Sequence, residues 1–183
     1  MSAPNFRLLT AADAADYQKL RLEALARNPE SFLGTLETEK TRSLEYFERE
    51  IEFASHLPVY GYHGVWQDQT DHQAQLLGYV QIDTSYLPKQ RHVAFLYNLY
   101  VSHLARRQGL GRLLCQHVFT ELKNQTQVEL IYLGCNSGNL QARNFYHSLG
   151  FKRCGIKPRA IKWQGVYDDE VEMVLELSGP TGN

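Results

Sequence analysis

The chain has no apolar stretch approaching the roughly 20 residues that a membrane-spanning helix needs, so a helical membrane protein is not expected. Its three cysteines, Cys115, Cys135 and Cys154, form no close pair and no metal-ligand spacing. An odd, sparse set of this kind fits reduced thiols, as in cytosolic proteins. Seven histidines are scattered with no His-Glu-x-x-His or His-x-His grouping, so no metal site is expected. Neither charge sign predominates: 19 basic residues face 20 acidic ones, a formal net charge of −1 that offers no bulk basic surface for nucleic acid. Met1 to Arg7 lacks the charged start and apolar core of a signal peptide, which adds to the expectation of a cytoplasmic protein without membrane attachment. No repeat and no linker-like segment divides the 183 residues, so one domain is expected over 1–183, with its core at about 5–177.

What is present is organised around Tyr97 to Leu114. Ala94 to Val101 is almost wholly apolar and aromatic, as a strand buried on both faces should be. From Leu110 the apolar positions Leu110, Leu113, Leu114, Val118 and Leu122 follow helical spacing. Between them lies Arg106-Arg-Gln-Gly-Leu-Gly111. A helix N-terminus carries amides without intrahelical partners and a favourable field for an anion. Glycines let a ligand approach the backbone, and arginines supply fixed charge and forked donors. Strand, Arg/Gly loop and helix together read as a diphosphate cradle. No Gly-Lys-Ser/Thr follows, which excludes a P-loop, and no third glycine completes the dinucleotide fingerprint.

Arg106-x-x-Gly109-x-Gly111 after an apolar strand resembles the acetyl-CoA signature of the GNAT acetyltransferase superfamily, Gln/Arg-x-x-Gly-x-Gly/Ala. A second block, Asn139-Leu-Gln-Ala142-Arg-Asn-Phe145-Tyr146-His-Ser-Leu149-Gly150-Phe151, is similar to that superfamily's Asn-x-x-Ala-x-x-x-Tyr-x-x-x-Gly-Phe element. The resemblance implies an acetyl-CoA-dependent N-acetyltransferase that moves an acetyl group to a primary amine of a small molecule, peptide or protein, by direct attack in a ternary complex. The alternative is a non-catalytic coenzyme A-binding regulator. The resemblance further implies a mixed, mostly antiparallel α/β fold in which parallel strands 94–102 and 128–136 splay apart and admit the cofactor. A homodimer is compatible with these expectations.

Site roles follow from the same resemblance. Backbone groups of the Leu99-Tyr100-Val101 segment would line the pantetheine arm, with the Leu99 N–H meeting the acetyl carbonyl. Amides of Gln108, Gly109, Leu110 and Gly111, beside Arg106 and Arg107, would hold the pyrophosphate, and Arg112 would add charge at the first helical turn. Asn139 would contact the cofactor, and Tyr146 would give its phenolic proton to the departing thiolate. An ordinary tyrosine, with a pKa near ~10, is protonated and able to donate at neutral pH. The sequence departs from the pattern at His103, where relatives often carry proline, and at Arg107, where glycine is frequent. Many relatives also carry a glutamate base on the central strand, whereas residues 92 to 104 contain no Asp or Glu. His92, Glu37, Glu39, Asp168, Asp169 and a water chain all stay open as the base.

The rest of the chain predicts a strand at 5–9 and a helix after Thr10 that ends near Asn28-Pro29. A loop is expected over 29–42 and a helix capped by Ser43 to about Ala54. Strands follow at 58–66 and 75–85, with polar connections at 67–73 and 86–91. After the two signature blocks come a strand at 151–156, a connection at 159–170, a last strand at 171–177 and a loose tail at 178–183.

Overall fold

Short-range chemistry sets the first elements. In a computed structural model, which describes residues 3–55, 57–68 and 74–177, the chain opens with strand β1, Asn5–Leu8. Thr10 N–H then donates to Asp13 Oδ2 at 2.8 Å, and Arg7 grips the same carboxylate at 2.7 and 2.8 Å. This closes a single 3₁₀ turn and starts helix α1, Ala14–Arg27, which stops before Pro29 as expected. The stretch expected as a loop carries a further short helix, α2, Leu36–Glu39. Thr35 caps it by accepting from Thr38 N–H at 3.3 Å. Helix α3, Leu44–Ala54, is capped by Ser43, whose hydroxyl accepts from Tyr46 N–H at 3.3 Å.

The sheet adds β2, Gly61–Asp68; β3, Ala74–Thr84; β4, Val93–Val101; β5, Leu130–Asn136; β6, Lys152–Trp163; and β7, Val166–Glu176. Helix α4, Leu110–Gln125, links β4 to β5, and α5, Leu140–Ser148, follows β5. The seven strands lie in the order β1-β2-β3-β4-β5-β7-β6, antiparallel throughout except between β4 and β5. This is the mixed, mostly antiparallel sheet flanked by helices that the sequence predicts. Most of the polar connection expected at 67–73, and the tail expected at 178–183, fall outside the described residues.

Two apolar cores cover the two faces. On one face Leu110, Leu114, Val118 and Leu122 of α4 pack on Ala94, Leu96, Ile131 and Leu133, joined by Phe145 and Tyr146 of α5. On the other, Tyr17, Leu20 and Ala24 of α1 and Phe47 and Ile51 of α3 pack on Tyr62, Trp66, Tyr79 and Tyr100. Each core removes a helix stripe and a strand face from water together, which is the main stabilising term.

The end of the chain corrects the sequence reading. The strand expected at 151–156 and the connection expected at 159–170 form one long hairpin, in which Trp163 pairs with Val166. Its two turn residues, Gln164 and Gly165, have φ of 48° and 84°. Positive φ at both central positions is the primed turn that matches strand twist. The pairing is interrupted between Lys157 and Ile161, where Arg159 has φ 55° and its N–H donates to Asp169 Oδ1 at 2.8 Å. That bulge breaks the alternation by which the strand would have been read.

A second bulge shapes the centre. Tyr79 pairs with Tyr100 and Gln81 with Tyr97, so Asn98 and Leu99 together oppose one residue of β3. Asn98 takes φ 52°. Its Oδ1 accepts from Arg21 Nη1 at 3.2 Å and its Nδ2 donates to Gln81 Oε1 at 2.8 Å. Arg21 in turn grips Glu39 with Nε and Nη2 at 2.8 and 2.7 Å, its side chain 8% exposed and that of Glu39 15%. Truncating one partner of such a pair strands the other charge. Arg21→Met should therefore destabilise the fold by about 3 kcal/mol, and Arg21→Met with Glu39→Met should recover part of that loss. Urea unfolding midpoints of parent, single and double variants measure both effects.

Candidate functional site

β4 and β5 pair at only three positions: Val93 with Leu130, Ala94 with Ile131 and Phe95 with Tyr132. Beyond Phe95 and Tyr132 the strands part, which leaves Leu96 to Val101 and Leu133 to Asn136 on the two sides of an opening. The expected strands 94–102 and 128–136 are thus observed with slightly shifted ends, splayed as expected. The Asn98 bulge falls within the free half of β4, directly before Leu99, Tyr100 and Val101. Leu99 and Val101 are half-buried against the α4 core, whereas Tyr100 turns to the α1 side.

Past Val101 the chain makes a 3₁₀ turn, His103–Ala105, and runs through the Arg/Gly loop into α4. Gly109 is the N-cap of α4, with φ 76°, and a side chain there would meet open space. A left-handed cap is what glycine supplies, and it leaves the first amides of α4, from Leu110, Gly111 and Arg112, pointing outward without helical partners. Arg107 also has positive φ, 64°. Arg107, Gln108 and Gly109 are exposed.

The arginines are not equivalent. Arg106 turns back to the body of the protein: its Nε donates to the Val101 carbonyl at 3.2 Å, its Nη2 to Asn28 Oδ1 at 2.6 Å, and its guanidinium lies 5.3 Å from the Tyr100 ring centroid. Arg112 fastens α4 to the end of α5 through the Ser148 carbonyl and hydroxyl at 3.1 and 2.8 Å. Asn139 caps α5, its Oδ1 accepting from Ala142 N–H at 3.0 Å, and its Nδ2 reaches Ser31 Oγ at 2.9 Å.

Tyr146 sits on α5 with its ring edge-on to Phe145 and Phe151, at centroid distances of 5.5 and 5.7 Å. Burial pushes its phenol well above the usual tyrosine range, and the nearby thiols Cys115 and Cys135 push the same way. The group is therefore protonated at any physiological pH, and among the described residues its hydroxyl makes no hydrogen bond.

The residue pattern shown by a family model for the acetyltransferase (GNAT) family matches residues 20–151, more than two thirds of the chain. The chain belongs to the GNAT acetyltransferase family. Among curated relatives, the ribosomal protein bS18-alanine N-acetyltransferases of Salmonella typhimurium and Escherichia coli are each 33% identical over 85 residues, 46% of this chain. The matched stretch spans 57% of those relatives' own length. Among solved structures, yncA of Salmonella typhimurium with its cofactor acetyl-CoA superposes with a TM-score of 0.78 at 19% identity, over 99% of this chain and 98% of that one. The ribosomal-protein-alanine N-acetyltransferase of Brucella melitensis gives 0.77 at 21% identity, over 94% and 99%. At these identities the likeness is one of fold.

In this GNAT chain the acids weighed as the base have defined surroundings. Glu39 is paired with Arg21, Asp168 accepts from Asn136 Nδ2 at 3.1 Å, and Asp169 holds the Arg159 bulge. Glu37 is exposed on α2. Three residues to which sequence reasoning gave no role of their own shape the site. Arg21 and Asn98 fix the bulge, and each had a signal: a charge on an apolar helix stripe and one amide within an apolar strand. The third is Glu23 of α1. Its carboxylate accepts from Tyr100 Oη at 2.9 Å, Ser102 Oγ at 3.1 Å and His103 N–H at 3.0 Å, with His103 Nδ1 also at 3.0 Å. It thereby ties α1 to the turn that leads into the Arg/Gly loop.

Burial alone would raise the Glu23 pKa, but the donors from His103, Tyr100 and Ser102 outweigh it and hold the carboxyl below its usual range. A depressed folded-state pKa contributes stability that is complete above the unfolded value, near ~4.3, and is lost as pH falls through the folded value. Glu23→Gln should lower stability by about 2 kcal/mol at pH 7. It should also lose less than the parent does on acidification to pH 3, as read from denaturant midpoints at the two pH values.

Proposed function

We propose that the chain is an acetyl-CoA-dependent N-acetyltransferase that moves an acetyl group to a primary amine by direct attack in a ternary complex. The observation that carries this reading is the parting of β4 from β5 after three paired positions, followed in the chain by a glycine-capped helix start. A gap between parallel strands offers free backbone groups to an extended arm, and the α4 amides offer an anion site to a diphosphate. The residues present fit the substrate: Gly109 leaves open space at the cradle, and Arg107 lies exposed beside it. We read the 183 residues as one acetyltransferase domain, with its core at 5–177 and a cytoplasmic setting consistent with its sparse cysteines.

Acetyl-CoA supplies the activated acyl group when bound. Leu99, Tyr100 and Val101 would line its arm on the β4 side, and the Leu99 N–H, presented within the bulge, would stabilise charge developing on the acetyl oxygen. Gln108, Gly109, Leu110 and Gly111 would hold the pyrophosphate through their amides, with Arg107 adding charge. Arg106, braced on Asn28 and Val101, would set the pitch of that loop, and Arg112 would contribute charge at the first turn of α4. Asn139 would fix the start of α5 against the turn after α1, next to the bound substrate. Tyr146 would protonate the departing sulfur, its phenol carrying the proton at neutral pH. Holding the two substrates side by side supplies much of the rate without a covalent intermediate.

The acceptor is a primary amine of a small molecule or peptide. The names of the bS18-alanine relatives make a peptide with N-terminal alanine the first one to try. Thiol release from acetyl-CoA with a panel of amines tests the reading. Turnover should climb with pH as the amine loses its proton, and a protein that binds acetyl-CoA but releases no thiol with any amine would remove it. Tyr146→Phe should reduce kcat by ~10²-fold or more while acetyl-CoA affinity, followed by calorimetry, stays near that of the parent.

A further inference from the structure

Phe95 stacks on Tyr97, with ring centroids 6.2 Å apart, and leans on Tyr132 at 6.4 Å. These rings mark one face of the sheet, and Gly134, two residues beyond Tyr132, lies on it too. Because Phe95 and Tyr132 are the last paired residues of β4 and β5, Tyr97 and Gly134 are the first residues of this face on either side of the opening. A side-chain carbon on Gly134 would lie 2.6 Å from Glu170 Cδ and 2.9 and 3.0 Å from its two carboxylate oxygens. The Glu170 carboxylate therefore fills the place that a side chain on Gly134 would take. It reaches there diagonally from β7, since Gly134 itself pairs with Glu172. Lys157 of β6 holds it at 2.8 Å and holds Glu172 at 2.9 Å, so two carboxylates share one ammonium and this trio of side chains carries a net negative charge.

We propose that Glu170 is the carboxylate that receives the acceptor ammonium at the opening and takes its proton as the amine attacks. This rests on the acetyl-transfer reading above. The site is built for a cation: the aromatic rings of Phe95, Tyr97 and Tyr132 border it, and its uncompensated charge is negative. The charged and titratable groups around Glu170 are Lys157 from β6, Glu172 from β7 and Tyr97 from β4, with Asp83 of β3 beyond Tyr97 and Cys135 on the opposite face of β5. Burial raises the Tyr97 phenol, Asp83 and Glu170 push it the same way and Lys157 opposes them, which fits a carboxylate standing across the opening from β4.

In the step itself the amine nitrogen's lone pair forms the C–N bond to the thioester carbon. The carbonyl π pair moves to oxygen and returns as the C–S bond breaks, with its electron pair left on sulfur. Of the two protons the ammonium gives up, one leaves to solvent through Glu170. The other balances the proton that Tyr146 gives to sulfur, and Tyr146 is reprotonated from solvent.

The test is steady-state thiol release across pH with an accepted amine. Glu170→Gln should lower kcat/KM for the amine by ~10²-fold, leave the acetyl-CoA KM unchanged, and make the rate keep rising at pH values where the parent has levelled off. Glu170→Ala combined with Gly134→Asp returns a carboxylate to the same place from the neighbouring strand and should restore about tenfold or more of that loss. A Glu170→Gln enzyme with the parent's kcat/KM and pH profile overturns the assignment. So does a loss shared equally with acetyl-CoA affinity, or one that the relocated carboxylate leaves unrepaired. A parent inactive with every amine overturns acetyl transfer itself, before any variant is compared.

Discussion

The left-handed turn of the backbone at Asn98 is the constraint on which the centre of the molecule depends. It interrupts the ladder between β3 and β4 within the half of β4 that β5 has released, so the strand is free of one neighbour and offset against the other. Such a conformation is unfavourable for most side chains, and asparagine is among the few that tolerate it. Here both ends of the amide are used, by Arg21 and by Gln81, so that the bulge is held from α1 and from the neighbouring strand. Arg21 is itself immobilised by Glu39 and by the face of Phe32, 5.0 Å from its guanidinium. The segment that contains Phe32 and Glu39 thereby takes part in shaping a strand far from it in sequence.

Carboxylates under the α1 face share this pattern of one acceptor with several donors. Glu23 gathers the end of β4 and the turn beyond it, and Glu50 of α3 accepts from both Tyr17 and Tyr62. A carboxylate has about four lone-pair sites, and filling them offsets the cost of partial burial. The opposite face, under α4 and α5, is mostly apolar, with Tyr60, His63 and Tyr146 among the few polar side chains it holds. One side of the sheet is thus a polar scaffold that sets backbone geometry, and the other a mostly apolar support around the Tyr146 phenol.

Most of the architecture was legible because it is written in periodicity. The switch from the continuous apolar run of β4 to the spacing of Leu110, Leu114, Val118 and Leu122 located the central strand, loop and helix. The Asn139 to Phe151 block located α5. The β6–β7 hairpin was missed because Arg159 and its neighbours break the alternation and because Gln164-Gly165 was not taken for a turn, although a glycine after a polar residue is a usual two-residue turn. Helix α2 was missed because four residues carry no period. The Arg/Gly loop at the start of α4 could be placed from sequence, whereas the different surroundings of Arg106 and Arg107 could not, since both are simply arginines beside a glycine. Glu170 could be placed from sequence among the acids of the acceptor side, but its relation to Gly134 was beyond reach of sequence patterns, because it runs diagonally between strands far apart in the chain.

The hairpin has a bearing on how molecules of this protein meet one another. Among the described residues β6 is the last strand of the sheet and its outer side has no partner strand, which would ordinarily invite another chain to pair with it. Five of its twelve residues, Lys152, Arg153, Lys157, Arg159 and Lys162, are basic, Pro158 lacks an amide, and the Arg159 bulge bends the backbone midway. At the other border β1 is only four residues long. Both borders are therefore poor templates for strand addition, one by charge and curvature and the other by brevity, which protects a sheet with a partly open centre from growing by aggregation.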